Sequence, residues 1–121
     1  MGNQLKHPPK IYAVNWFRTD DQGKFIWPGF GDNIRVLKWV LARVNGRVSA
    51  KETPIGLVPN AADIDMSGLS IPKEKMEKLF EVDRQGWQAE VQDIDKFLNQ
   101  FGDHLPPEIR RQRDTLAQKL G

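Results

Sequence analysis

Apolar and polar positions follow several rhythms along the chain. Ile11-Tyr12-Ala13-Val14-Asn15-Trp16-Phe17 is nearly unbroken apolar sequence rich in strand formers, the pattern of a strand buried on both faces. Arg18 to Lys24 carries Asp20-Asp21 and Gly23, good turn chemistry, and Phe25-Ile26-Trp27 reads as a return strand stopped by Pro28. A symmetric hairpin sets Phe17 opposite Phe25, Trp16 opposite Ile26 and Asn15 opposite Trp27, so that Phe17 and Phe25 share a face. Beyond Asp32 or Asn33, either of which can cap a helix, Ile34, Leu37, Leu41 and Val44 recur at helical spacing, widened by Val36, Trp39 and Val40. Asn45-Gly46 stops it.

The second half changes character. Residues 47 to 52 are polar loop, Thr53 to Pro59 is a short extended piece fenced by prolines, and 60 to 71 is irregular with room for one helical turn. Pro72 opens a short helix with Met76, Leu79 and Phe80 on its apolar side. After Asp83, a cap, Trp87, Val91, Ile94, Leu98 and Phe101 alternate steps of four and three until Gly102. Pro106-Pro107 starts a last helix whose stripe, Ile109, Leu116 and Leu120, is thin enough to predict a surface position or fraying. The pattern predicts an α+β fold: an aromatic β-hairpin and a short extended segment packed with about four helices. It partitions into 9–46, 47–71 and 72–121.

Composition narrows the function. With 121 residues the chain suits one domain, and 18 basic against 16 acidic side chains, interspersed, give no concentrated basic face for duplex DNA. No apolar run is long enough to span a membrane and the N-terminus lacks a signal-peptide core, which predicts a cytosolic protein. Without cysteine there is no thiolate ligand or nucleophile. His7 and His104 have no partner at metal-ligand spacing and read as surface residues. The sequence contains neither Gly-x-x-x-x-Gly-Lys-Ser/Thr nor Gly-x-Ser-x-Gly. Asp20-Asp21 and Asp93-x-Asp95 read as solvated charge, and Arg110-Arg111-x-Arg113 as decoration of an exposed helical face.

The feature that asks for a cause is aromatic density: six of eleven aromatic residues are Tyr12, Trp16, Phe17, Phe25, Trp27 and Phe30. One reading is a core where hairpin and helix meet. The other is a binding site, because Gly29 and Gly31 leave the backbone bare around Phe30 and a helix begins directly afterwards, with free N–H groups.

Phe25-x-Trp27-Pro28-Gly29-Phe30-Gly31-x-Asn33, preceded by Asn15-Trp16-Phe17-Arg18 and followed by Arg35-Val36-Leu37-x-Trp39, resembles the C-terminal part of the GTP-dependent phosphoenolpyruvate carboxykinases. Thr53-Pro54-Ile55-Gly56 and Trp87-x-x-Glu90-Val91 extend the likeness to about residues 9–121. That family converts oxaloacetate and GTP to phosphoenolpyruvate, GDP and carbon dioxide in gluconeogenesis, using manganese and magnesium. The resemblance implies that Phe17 and Phe30 stack on the two sides of guanine, that Phe25 walls its edge, and that Asn33 with the backbone of Phe30, Gly31, Asp32 and Asn33 hydrogen-bonds the base. Trp16 and Gly29 then support the pocket. It further implies a fragment of a larger α/β enzyme domain, part of a monomeric enzyme and inactive alone, whose metal ligands, phosphate loop and catalytic groups lie elsewhere. The rival readings are a single-stranded nucleic-acid module, with Arg18, Lys24 and Arg35 beside the rings, and a self-associating fragment without catalysis.

Overall fold

Local chemistry at the ends sets where each helix begins and stops in the computed structural model, which describes residues 5–121. Helix α1 spans Asn33–Val44 and is closed by Gly46, whose positive φ of 68° lets Arg47 N–H reach back to the Ala42 carbonyl. Helix α2, Lys73–Phe80, follows Pro72. Helix α3, Arg84–Asn99, is capped by Asp83, whose carboxylate accepts the Gly86 N–H at 3.1 Å. Helix α4, Pro107–Leu120, has proline in its first turn, where a missing N–H costs nothing. Strands β1, Lys51–Thr53, and β2, Gly56–Val58, pair antiparallel around Pro54-Ile55, with Glu52 opposite Leu57. The architecture is α+β.

The chain divides into two compact units, one running through Ala50 and including Pro59–Phe80, the other joining Lys51–Val58 to Glu81–Gly121. In the first, Trp27, Trp39, Ile64 and Met76 form the buried core, with Trp16, Val36, Val40 and Leu79 packed against them. This corrects the expected burial of α1: Trp39, Val36 and Val40 face inward, while Ile34, Leu37, Leu41 and Val44 are exposed. Both sides of the helix are apolar, and the larger ring of Trp39 removes more area from water. In the second unit Val91 and Leu98 of α3 are buried, and so is Leu120, at 1% exposure. The last helix therefore does not fray. Arg84 and Gln88 of α3 donate to the Leu120 and Gly121 carbonyls at 3.2 and 3.1 Å, and Arg113 meets Asp95 at 2.7 Å, so neither residue is free surface charge.

The aromatic hairpin is looser than expected. Residues 9–15 form no strand and Ile11 is open to solvent, because no neighbouring strand covers them. A single bridge joins Thr19 to Phe25, supported by Ile26 N–H to the Arg18 carbonyl at 2.9 Å. The register thus differs by two residues from the symmetric closure. A two-residue shift keeps each side chain on its face, which is why Phe17 and Phe25 still meet.

Candidate functional site

Asp20 shapes the loop that carries the rings. Its Oδ1 accepts the Gln22 and Lys24 N–H groups, each at 3.0 Å, while Gly23, at φ 75°, closes the bend. Its Oδ2 lies 2.9 Å from Lys75 Nζ on α2, and that ammonium, with the Lys24 and Gln22 amides, pulls the Asp20 carboxyl from 3.8 down to about 2. Asp21 pairs with Lys78, and Arg18 donates to the Leu79 carbonyl at 3.2 Å. Asp20 is therefore a clamp onto α2, whereas Asp21 remains solvated charge beside Lys78.

Upstream, Asn15 Oδ1 accepts the Phe17 N–H at 2.9 Å, a side-chain turn that sends Trp16 toward the core and Phe17 outward. Phe17 and Phe25 stand edge to face with centroids 5.8 Å apart and remain 70% and 64% exposed. Phe30 is 99% exposed and makes no ring pair among the described residues. Its φ of 37° lies in the left-handed region, a strain of order 1–3 kcal/mol for a non-glycine residue. Gly29, at φ 79°, makes the approach to that conformation.

Phe30–Asp32 is one 3-10 turn leading into α1. The turn engages the Asp32 N–H with the Gly29 carbonyl at 3.0 Å and the Asn33 N–H with the Phe30 carbonyl. Two of the N–H groups expected to be free at the helix start are therefore already bonded. The Asp32 carboxylate makes no cap bond and instead accepts from Arg35 Nε at 2.9 Å. Arg35 also donates to the Asp65 carbonyl at 2.7 Å. The Ser67 hydroxyl and amide, with Lys38, pull the Asp65 carboxyl down to about 2. Asn33 is half-buried, and its Oδ1 accepts the Trp27 indole N–H at 2.9 Å. Sequence reasoning placed Trp27 only as an aromatic of the strand; a donor six residues away across a glycine turn leaves no periodic trace.

A concavity of about 450 Å³ lies elsewhere, at the start of α4, lined by Leu105, Pro107, Arg110 and Arg111 but also by Asp103 and Asp114. Its mixed charge, and the pairing of Arg111 with Glu108, make it a poor anion site. The described residues contain no group of three His, Cys, Asp or Glu placed to hold a metal ion. No described helix is long and apolar enough to cross a membrane.

The structure thus brings Phe17 and Phe25 together and leaves Phe30 strained and open to solvent, with the Asn33 amide at the start of α1. The phosphoenolpyruvate carboxykinase C-terminal P-loop domain, GTP-dependent type, matches residues 1–119, and the chain belongs to that family. It is 47% identical over 113 residues to phosphoenolpyruvate carboxykinase [GTP] of Neocallimastix frontalis, covering 93% of this chain and 18% of that protein. Against the enzyme of the same name from Arthrobacter sp. (strain FB24), identity is 45% over 112 residues, covering 93% of this chain and 18% of the relative. Against that of Thermoplasma volcanium it is 40% over 121 residues, covering all of this chain and 20% of the relative. The chain spans about a fifth of the length of these curated relatives.

Proposed function

We propose that this chain is the guanine-holding portion of a longer, cytoplasmic GTP-dependent phosphoenolpyruvate carboxykinase, which converts oxaloacetate and GTP to phosphoenolpyruvate, GDP and carbon dioxide. Phe17 and Phe30 stack on the base, Phe25 closes its edge, the Asn33 side chain meets its polar rim together with whatever backbone groups of Phe30, Gly31, Asp32 and Asn33 the turn leaves unbonded, and Trp16 and Gly29 support the loop. The observation that carries this reading is exposure: Phe17, Phe25 and Phe30 face solvent although Trp27, two residues beyond Phe25, is buried at 6%. A packing role for the three rings would have put them in the core beside Trp27.

Stacking contributes roughly 1–3 kcal/mol per ring and hardly separates guanine from adenine. Selectivity then rests on polar groups, where a mismatched, unpaired donor costs about 1–3 kcal/mol. The manganese and magnesium of the reaction fall to other parts of the longer chain. The exposed apolar row Ile34, Leu37, Leu41 and Val44 supports such a parent, since it offers a surface for further chain to cover. The nucleic-acid reading loses support from Arg35, which is held by Asp32 and Asp65 rather than offered to a phosphate backbone. Titration of the protein with GDP, ADP and an oligonucleotide, followed by tryptophan fluorescence, tests the proposal. Quenching selective for GDP is expected, and binding of the oligonucleotide alone would contradict it.

A further inference from the structure

We infer that Trp27 is a specificity-determining positioning residue: its indole N–H fixes the amide of Asn33 so that the nitrogen, not the oxygen, faces the base. The inference rests on the guanine reading above and adds to it the group that sets the sign of the recognition. An asparagine amide can present either end to a ligand, as donor or as acceptor, and a free rotor would accommodate either 6-oxo or 6-amino purines. Indole N–H donates only. At 2.9 Å from Asn33 Oδ1 it therefore selects the rotamer whose oxygen points at Trp27 and whose two amide hydrogens point away.

Trp27 cannot move to relax that choice. It is buried among Trp39, Ile64 and Met76, and a rigid ring in a packed core has no alternative position for its N–H. The amide hydrogens of Asn33 have no partner among the described residues, and the neighbouring N–H groups of Asp32 and Asn33 are already bonded within the turn. The side-chain donor is thus the uncommitted polar group of α1's first residue. A donor held there accepts a purine with oxygen at position 6 and leaves the 6-amino group of adenine facing two hydrogens. The selected class is 6-oxopurine nucleotides, so hypoxanthine, which has the oxygen but lacks the 2-amino group, passes this contact as guanine does.

The test uses the full-length carboxykinase carrying this sequence, with KM measured for GTP, ITP, ATP and oxaloacetate. Trp27→Phe removes the donor and keeps an aromatic ring. It is expected to narrow the preference for GTP over ATP about ten-fold, with ITP following GTP and the oxaloacetate KM unchanged. Damage to the core alone would raise all nucleotide KM values together and leave their ratios intact. Asn33→Asp, which keeps an acceptor for the indole but turns an oxygen toward the base, is expected to lower the GTP preference at least as far as Asn33→Ala does. It serves equally if Trp27→Phe fails to fold. An unchanged GTP-to-ATP ratio in Trp27→Phe, or a retained preference in Asn33→Asp, overturns the inference while Asn33→Ala still narrows the ratio. If Asn33→Ala leaves the ratio unchanged as well, the guanine reading of this side chain falls with it.

Discussion

Among the described residues, two pairs of phenylalanines face solvent edge to face. Phe17 and Phe25 are 5.8 Å apart in the first unit; Phe97 and Phe101 are 5.3 Å apart in the second. Exposure and ring geometry alone do not distinguish them. Phe97 lies in the last turn of α3 and Phe101 two residues beyond its end, where the chain still runs on closely enough for residues four apart to meet. Phe17 and Phe25 are joined instead by a non-local construction: an Asn15 turn, the Asp20 loop and the clamp onto α2. Nearby in sequence follow a phenylalanine in a strained conformation and an amide oxygen that accepts from a buried indole. An aromatic pair becomes a candidate site when the surrounding chain maintains it against its own local preferences.

The comparison can be broken most forcefully at the rings. In the full-length carboxykinase carrying this sequence, Phe17→Ala with Phe25→Ala is expected to raise KM for GTP by about a hundred-fold, at roughly 1–3 kcal/mol per ring. A steady-state GTP titration reads it. Asn33→Ala comes next, narrowing the preference for GTP over ATP by about ten-fold in the ratio of kcat/KM values. Phe30→Asn sharpens the comparison from the side of stability. Asparagine tolerates positive φ and the lost ring is fully exposed, so the urea midpoint should rise by the equivalent of about 0.5–1 kcal/mol while GTP binding weakens.

A smaller effect follows from acid. Because the folded Asp20 carboxyl titrates near 2 rather than 3.8, its contribution is complete above about pH 3.8 and is lost as pH falls toward 2. Urea midpoints measured across that window should fall less steeply in Asp20→Asn than in the parent. The smallest effect belongs to the control pair: Phe97→Ala should leave the KM for GTP unchanged.

What could be read from the chain depended on how local its causes were. Asp83 before α3, Pro107 in the first turn of α4 and Gly46 after α1 each act within a few residues, and the helix ends they set were legible. The inward face of α1 was not, since Ile34 and Leu37 are as apolar as Val36 and Val40, and periodicity does not say which side is covered. Leu120 looked peripheral because a thin stripe carries little weight, yet partners on α3 hold the carbonyls at that end. Within the candidate site, the convergence of Phe17 and Phe25 was legible from alternation despite the wrong register. The bonded N–H groups of the 3-10 turn, the Arg35 grip on Asp32, the link of Asp20 to Lys75 and the Trp27–Asn33 bond were not. Each depends on backbone geometry or on residues far apart in sequence.

The central claim is that the exposed rings hold the nucleotide rather than the fold. Kinetics of Phe30→Ala in the full-length enzyme test it most directly, with KM determined for GTP and for oxaloacetate in the same preparation. The account predicts a rise of about ten-fold or more for GTP with oxaloacetate nearly unchanged; equal rises for both substrates, or none for GTP, would contradict it.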